Sequence, residues 1–171
     1  ISIISENEIS DSASAELARI RKAIVRHGMK IKEQLEDLNF LGVEFEIEFT
    51  KLDRFTASGS DSVQFMISTN PGEPVRPLRS VASGGELSRI MLALKTVLAD
   101  TDETDTLIFD EIDAGISGIT AQKVAQKLKI IGRGHQVFCI THLPQIAAMA
   151  DTSYRIEKST DGTSTTTRVD R

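Results

Sequence analysis

Two short apolar runs, each followed at once by polar residues, constrain the fold of this chain more than any other feature. Residues 106–109 run directly into an Asp-Glu pair, and residues 136–140 run into Thr-His. Between them, residues 119–131 carry apolar side chains at helical spacing. Short, continuously apolar strands alternating with helices are typical of a parallel sheet covered by helices on both faces. The sequence therefore predicts an α/β fold.

The polar residues at the ends of these two runs are candidate site residues. Ligands of open α/β sheets bind beyond the carboxyl ends of the strands. We expect Asp110 to hold Mg²⁺ through water, Glu111 to activate an attacking water and His142 to reach a γ-phosphate. A solvated acidic turn and a structural histidine are the alternatives, and each is the commoner explanation of such a residue taken alone.

A glycine pair at the start of a predicted helix forms a second candidate site. Ser83, Gly84, Gly85 and Glu86 precede apolar residues that recur every three or four positions to about residue 100. Glycines let a phosphate approach the backbone closely, and a helix N-terminus favours an anion. The alternative is a flexible turn whose serine simply caps the helix.

The loop that usually cradles a nucleotide's phosphates is missing from this sequence. That loop needs a Gly-Lys dipeptide, and none occurs among the 171 residues. Without it, the candidate residues do not hold a nucleotide well by themselves. We therefore expect this chain to be a piece of a longer protein and to supply one half of a nucleotide pocket.

The rest of the chain divides into a helical arm and β-hairpins. Residues 11–38 have apolar residues seven apart and predict a helix, so that residues 1–40 form a helical arm or coiled-coil end and residues 41–171 form the lobe. Alternating apolar and acidic residues after Gly42 predict a strand that pairs with a second strand across a polar turn. Residues 70–77 are expected to be irregular, and the tail alternates enough for two edge strands.

Composition narrows the function classes. A net charge of −5 argues against a surface that wraps nucleic acid, and the absence of a long apolar run predicts no membrane contact and a cytoplasmic protein. Cys139 lies in an apolar run, where a thiol acts as a small hydrophobe. No His/Cys cluster has the spacing of a zinc site, and we interpret His27 and His135 as packing or surface residues.

Three segments carry a resemblance to a known family. Residues 81–89, 107–118 and 139–151 resemble the carboxyl-terminal half of the ATPase head of the RecN family, which are bacterial SMC-like DNA repair proteins. The resemblance implies an ABC/SMC-type P-loop NTPase head lobe that lacks its Walker A lobe. It also implies a role for each candidate residue: the ABC signature for Ser83 to Glu86, Walker B for Asp110 and Glu111, the start of the nucleotide-contacting D-loop for Asp113, and the switch histidine for His142.

The same resemblance implies cofactors and partners. ATP and Mg²⁺ would be sandwiched between two heads of a homodimer, with the Walker A motif supplied by each protein's own amino-terminal lobe. The full-length protein would hydrolyse ATP and act on DNA in double-strand break repair and recombination, in the bacterial cytoplasm at the nucleoid. This half-site alone would be inactive. Residues 9–21 instead resemble MutS paralogues that carry a Smr nuclease domain.

Two other functions remain open at this point. The chain would be a non-catalytic interaction or nucleotide-sensing module if its motifs serve only binding. It would bind DNA directly if the basic residues of the arm form a patch, although a solvated helix face is the more common explanation of such a pattern. The basic residues concerned are Arg19, Arg21, Lys22, Arg26, Lys30 and Lys32.

Overall fold

The computed structural model describes residues 11–57, 59–81, 83–99 and 101–171, without the side chains of residues 11–18, 21 and 55. The first ten residues of the predicted arm thus lie outside the described part. The elements in chain order are α1 (Asp11–Asp37), β1 (Glu44–Thr56), β2 (Gly59–Ser68), β3 (Arg76–Pro77), a 3₁₀ turn (Leu78–Ser80), α2 (Gly84–Leu98), β4 (Thr106–Phe109), α3 (Gly118–Ile131), β5 (Gln136–Cys139), α4 (Pro144–Ala147), β6 (Arg155–Thr160) and β7 (Thr165–Asp170).

The two apolar runs form a parallel pair of strands, as the sequence predicts. β4 and β5 pair from Thr106 opposite Gln136 to Phe109 opposite Cys139, and α3 makes the crossover between them. The α/β prediction is confirmed. Both candidate sites that follow the strands therefore lie at one edge of this sheet.

The prediction that both faces of this sheet are covered is wrong for this chain. Leu107 and Phe109 are buried on one face, whereas Ile108 and Phe138, which are opposite each other on the second face, are 70% and 50% exposed. Of the elements that the structure describes, none covers this second face. Apolar strands of this kind need two covering layers, and this chain supplies only one.

The hydrophobic core joins buried residues of the three long helices with residues of β1, β2 and β4. Helix α2 contacts both α1 and α3. The carboxyl-terminal end of α1 belongs to the core, since Ile31 and Leu35 are almost fully buried, whereas Ile20 nearer the free end is 46% exposed. The largest fully buried side chains are Leu35, Leu38, Val43, Ile90, Leu92, Ile112, Val124 and Ile131.

Strands β1 and β2 form the predicted antiparallel hairpin. Phe45 pairs with Ile67 and Ile47 with Phe65, and these side chains share the face toward α1. The glutamates between them point to the exposed face, as the alternation predicts. Residues 70–77 were expected to be wholly irregular, but Pro77 pairs with Met66 in the short strand β3. Proline is compatible with that position because an edge strand leaves one side of its backbone unpaired.

The tail forms the two predicted strands as an antiparallel hairpin, β6–β7. Its turn is held by the Asp161 carboxylate, which accepts the backbone N–H groups of Thr163 and Ser164 at 3.0 and 2.8 Å. Every residue of both strands is exposed except the half-buried Asp170. Among all described residues, none of the helices combines the length and apolar character needed to span a bilayer.

Candidate functional site

Helix α2 begins at the predicted glycine pair and is capped by the predicted serine. The Ser83 hydroxyl accepts a hydrogen bond from the backbone N–H of Glu86 at 3.4 Å. Ser83 is in extended conformation, which is the usual backbone geometry of an N-cap. The helix therefore presents its positive end at Gly84 and Gly85, with Glu86 in its first turn.

The glycine pair lies against the loop that follows β4. A Cβ atom on Gly85 would stand 2.8 Å from the Ala114 Cβ and 3.0 Å from the Glu111 carbonyl oxygen, and one on Gly84 would collide with the Glu111 carboxylate. Glycine at position 85 permits this close approach to the loop, whereas the Glu111 carboxylate beside Gly84 is the end of a flexible side chain. The structure thus brings the two candidate sites, which are more than 20 residues apart in sequence, onto one surface.

Two residues of α2 that the sequence interpretation missed hold this loop in place. The Ser88 hydroxyl donates to the Asp110 carbonyl oxygen at 2.7 Å, and the Arg89 Nη1 donates to the Ala114 carbonyl oxygen at 2.8 Å. Ser88 and Arg89 lie three and four residues after Gly85, and this spacing places them on the same helix face as Gly85. The sequence could have identified them as site residues by this spacing. They fix the position of the β4 loop against the start of α2.

Arg89 also reaches the end of the arm. Its guanidinium lies 5.4 Å from the centre of the Phe40 ring, and the residue is only 8% exposed. Its Nε has no hydrogen-bond partner among the described residues. Burial lowers the pKa of Arg89, and the Glu86 charge opposes that shift. One buried cation therefore touches the arm, α2 and the β4 loop.

The Asp110-Glu111 pair is exposed at the carboxyl end of β4. Glu111 has φ of +55°, which is uncommon for a residue other than glycine, and its backbone N–H donates to the Asp110 Oδ1 at 2.9 Å. In the part of the chain that the structure describes, no three His, Cys, Asp or Glu side chains converge as a metal site. Asp110 therefore fits a magnesium ion that it holds through water, with the ion's direct ligands coming from water or phosphate.

Asp113 is buried, and its carboxylate faces the loop after β5. The residue is 5% exposed, and its Oδ2 accepts from the Thr141 hydroxyl at 2.5 Å and the His142 backbone N–H at 2.8 Å, while the His142 Nδ1 lies 3.0 Å away. Desolvation raises the pKa of Asp113, but the hydrogen bonds from Thr141 and His142 lower it below its usual value. The structure places the Asp113 carboxylate beside His142. The sequence-based expectation that Asp113 contacts a nucleotide stays a prediction.

The predicted residues thus converge on one edge of the molecule. Gly84 and Gly85, which follow the capping Ser83, meet the Glu111 loop, and His142 follows the neighbouring strand, with its side chain 75% exposed. Of the basic residues predicted on the arm, five are exposed, and the side chain of Arg21 lies outside the described residues. The exposed five are Arg19, Lys22, Arg26, Lys30 and Lys32.

Sequence comparison finds relatives of this chain that are named DNA repair protein RecN. It is 49% identical over 161 residues to the DNA repair protein RecN of Halalkalibacterium halodurans, covering 91% of this chain and 28% of the relative. It is 53% identical over 116 residues to RecN of Bacillus subtilis, covering 68% of this chain and 20% of the relative. The chain thus spans about a quarter of the length of these relatives. No protein-family model matches it.

The sequence similarity to RecN proteins extends over most of the helical arm. RecN of Haemophilus influenzae, 37% identical over 163 residues, covers 95% of this chain and 29% of its own length. Only about one residue in twenty lies outside that alignment. This coverage favours a common origin for the arm and the lobe over the resemblance of residues 9–21 to MutS paralogues.

Solved structures with a similar fold are heads of SMC proteins. The Smc head domain of Pyrococcus furiosus, solved with an extended coiled coil and bound to the C-terminal domain of ScpA, has a TM-score of 0.57 at 21% identity and covers 95% of this chain and 38% of its own. The Smc head of Pyrococcus yayanosii has a TM-score of 0.58 at 22% identity, with 95% and 29% coverage. The fold is therefore that of an SMC-type head, and the α/β prediction extends to this class.

Proposed function

This chain belongs to the RecN family of DNA repair proteins, and we propose that it is the signature and Walker B half of an SMC-like, ATP-hydrolysing head. The observation that supports this most is the contact of Gly84 and Gly85 with the loop after β4. It unites an anion-binding helix start and an acidic strand end on one surface.

The residues at this surface would act on two different nucleotides. Ser83, Gly84 and Gly85 would bind the γ-phosphate of a nucleotide held by a second head, with backbone N–H groups and the helix dipole stabilising its charge. Glu86, in the first turn of α2, would direct its carboxylate away from that phosphate. The two heads would therefore dimerise only around ATP.

The acidic pair would serve the chain's own nucleotide. Asp110 would hold Mg²⁺ through water, and the bound ion would neutralise charge on the phosphates. Glu111, which is exposed beside it, would orient and deprotonate the attacking water. His142 would contact the γ-phosphate from the neighbouring strand, and the loop that starts at Asp113 would lie against the second head.

The uncovered sheet face supports the proposal that a Walker A lobe completes the head. Ile108, Phe138 and Ile140 are 70%, 50% and 58% exposed on that face. Because a parallel sheet is stable when both faces are covered, we propose that the amino-terminal lobe of the same protein packs there. The exposed hairpin β6–β7 would pack against the same lobe.

The whole protein would then act in the bacterial cell as its relatives' name says, in DNA repair. We propose that it works in the cytoplasm at the nucleoid, on double-strand breaks and their recombination. DNA would be bound by the full-length protein, with ATP binding closing the head dimer and hydrolysis opening it. The 171-residue half-site alone would not turn over ATP.

The test uses the full-length protein with Glu111→Gln. We expect ATP hydrolysis to fall by about 100-fold or more while ATP binding and ATP-dependent dimerisation persist, because the amide cannot accept the water's proton. Glu46→Gln, on the exposed face of β1, is the control and should leave the rate unchanged. Hydrolysis at the parental rate in Glu111→Gln would refute the assignment. A parental protein that binds ATP but never hydrolyses it, even with DNA, would support a nucleotide-sensing module instead.

A further inference from the structure

The side chain of Asp113 has an unusual environment for a residue in a loop at the edge of a sheet. It is 5% exposed, although Asp110 and Glu111 just before it are exposed. A buried carboxylate is costly unless hydrogen bonds satisfy it. Here the donors from outside the Asp113 loop come from Thr141 and His142, in the loop that follows β5. The carboxylate therefore joins the loop after β4 to the loop after β5.

Two of these donors fix the position of the carboxylate independently of the imidazole. The Thr141 hydroxyl donates to Oδ2, and it accepts the Leu143 backbone N–H at 3.1 Å, which sets the direction of its own proton. The backbone N–H of His142 donates to the same oxygen. These hydrogen bonds favour the ionised form and lower the pKa of Asp113 against the opposing effect of burial. An ionised carboxylate can only accept.

Among the residues that the structure describes, the imidazole of His142 has one identified partner, which is this carboxylate. Its side chain is 75% exposed, so packing does not set the ring's orientation. The Nδ1 lies 3.0 Å from the Asp113 Oδ2 and must carry a proton to bond with it. The hydrogen bond at one ring nitrogen determines which tautomer is present. Nε2 is then the nitrogen left for a ligand.

We propose that Asp113 is a positioning residue that holds His142 in the Nδ1–H tautomer and presents Nε2 outward. In the neutral ring, Nε2 accepts a hydrogen bond from water. When a phosphate oxygen approaches, the water held at Nε2 can donate its second hydrogen to that oxygen, so that the ring would contact the phosphate through water. The link to phosphate rests on the proposed function, whereas the tautomer does not.

The first test measures the tautomer directly, by ¹⁵N NMR of the His142 ring in the 171-residue chain at neutral pH. We expect Nδ1 to carry the proton in the parental chain and Nε2 to carry it in Asp113→Ala. Thr141→Val is the control, since it removes a donor to the carboxylate but leaves the acceptor of Nδ1, so the Nδ1–H form should persist. A parental ring on the Nε2–H tautomer, or no change in Asp113→Ala, would overturn the proposal.

The second test asks whether Asp113 acts through His142, using ATP hydrolysis by the full-length protein. Asp113→Ala should lower kcat about 10- to 100-fold with little change in KM, as is typical when the partner of a functional histidine is removed. In a His142→Ala background the same substitution should have no further effect, because the residue it positions is gone. An equal loss in both backgrounds would show a merely structural role.

The two tests separate this proposal from the proposed function. If the parental full-length protein does not hydrolyse ATP but shows the Nδ1–H tautomer, the enzymatic role fails and the positioning of His142 by Asp113 stands. If hydrolysis occurs and Glu111→Gln abolishes it, but the Asp113 and His142 effects multiply, the enzymatic role stands and the positioning fails. Circular dichroism of each variant checks that the fold is retained.

Discussion

The helical core around α2 and the C-terminal hairpin β6–β7 differ in how completely the chain buries them. In the core, Ile90 and Leu92 have no exposed surface, and the loops that carry the site pack directly on this region. In the hairpin, Ile156 and Val169 are opposite each other on one face, yet they are 64% and 59% exposed. The chain therefore buries the apolar side chains of the core completely but leaves those of the hairpin largely exposed to solvent.

The difference indicates which part of this chain is stable without further protein packed against it. A core of fully buried aliphatic side chains gains free energy from every residue it removes from water. A two-stranded hairpin without a packed face is only marginally stable in water. We infer that the stability of this chain comes from the core, and that the hairpin and the exposed sheet face gain theirs from a further layer of protein.

The largest expected effect comes from removing an apolar side chain from each region. Leu92→Ala should lower the free energy of unfolding by about 2–5 kcal/mol, because it leaves a cavity at a position with no exposure. Ile156→Ala, at a 64% exposed position, should change it by less than about 0.5 kcal/mol. Urea denaturation followed by circular dichroism measures both. Equal losses would show that the hairpin is part of the cooperative core.

The same two variants, made in the full-length protein, test whether the hairpin is buried there. If the proposed amino-terminal lobe packs on the hairpin, Ile156→Ala should there cost about 1 kcal/mol or more, since the side chain would be buried. The loss for Leu92→Ala should stay as it is in the 171-residue chain. An unchanged Ile156 result in the full-length protein would argue that the hairpin remains solvated.

An intermediate effect is expected from filling the space beside the site. Gly85→Ala should destabilise by about 1–3 kcal/mol, because its Cβ would stand 2.8 Å from the Ala114 Cβ and 3.0 Å from the Glu111 carbonyl oxygen, so the backbone must move. Gly134→Ala is the matched control in the loop before β5, where a Cβ meets no atom within 4 Å. Thermal unfolding of both variants tests this. A Gly85→Ala variant as stable as Gly134→Ala would mean that the loop yields freely.

The sequence predicted those parts of the fold that depend on local patterns. The spacing of apolar residues identified α2, α3 and both strands of the parallel pair, and alternation identified the two hairpins. These signals lie within segments of a few residues, where period and capping chemistry are readable. The site residues Ser83, Glu111 and His142 were predicted because each begins or follows such an element.

The sequence did not predict the contacts between residues that lie far apart in the chain. The spacing of Arg89 after Gly85 places it on a helix face, but its partners Ala114 and Phe40 are 25 and 49 positions away and meet it only in the folded chain. Likewise, Asp113 lies in a polar loop that predicts exposure, and only the approach of Thr141 and His142 accounts for its burial. The exposed sheet face was missed for the same reason, since apolar strands give no sign of which chain covers them.

The smallest expected effect contrasts two ion pairs of α3. Lys127, 8% exposed, pairs with Asp37 of α1 at 3.1 Å, whereas the exposed Lys129 pairs with Asp151, just before the hairpin. Asp37→Asn should cost about 1 kcal/mol, because it leaves a buried ammonium with a weaker partner. Asp151→Asn should cost less than about 0.5 kcal/mol, because water solvates both of its charges.

The pH dependence of the pair between Lys127 and Asp37 gives a further check on the core. The hydrogen bond from Lys127 lowers the pKa of Asp37, against the opposing effect of burial. A carboxylate whose pKa is lowered on folding stabilises the protein above its unfolded pKa of about 4, and this contribution is lost as the pH falls through the lowered value. The parental chain and Asp37→Asn should therefore differ most at neutral pH and converge in acid. A difference that persists in acid would mean that Asp37 acts through packing and not through its charge.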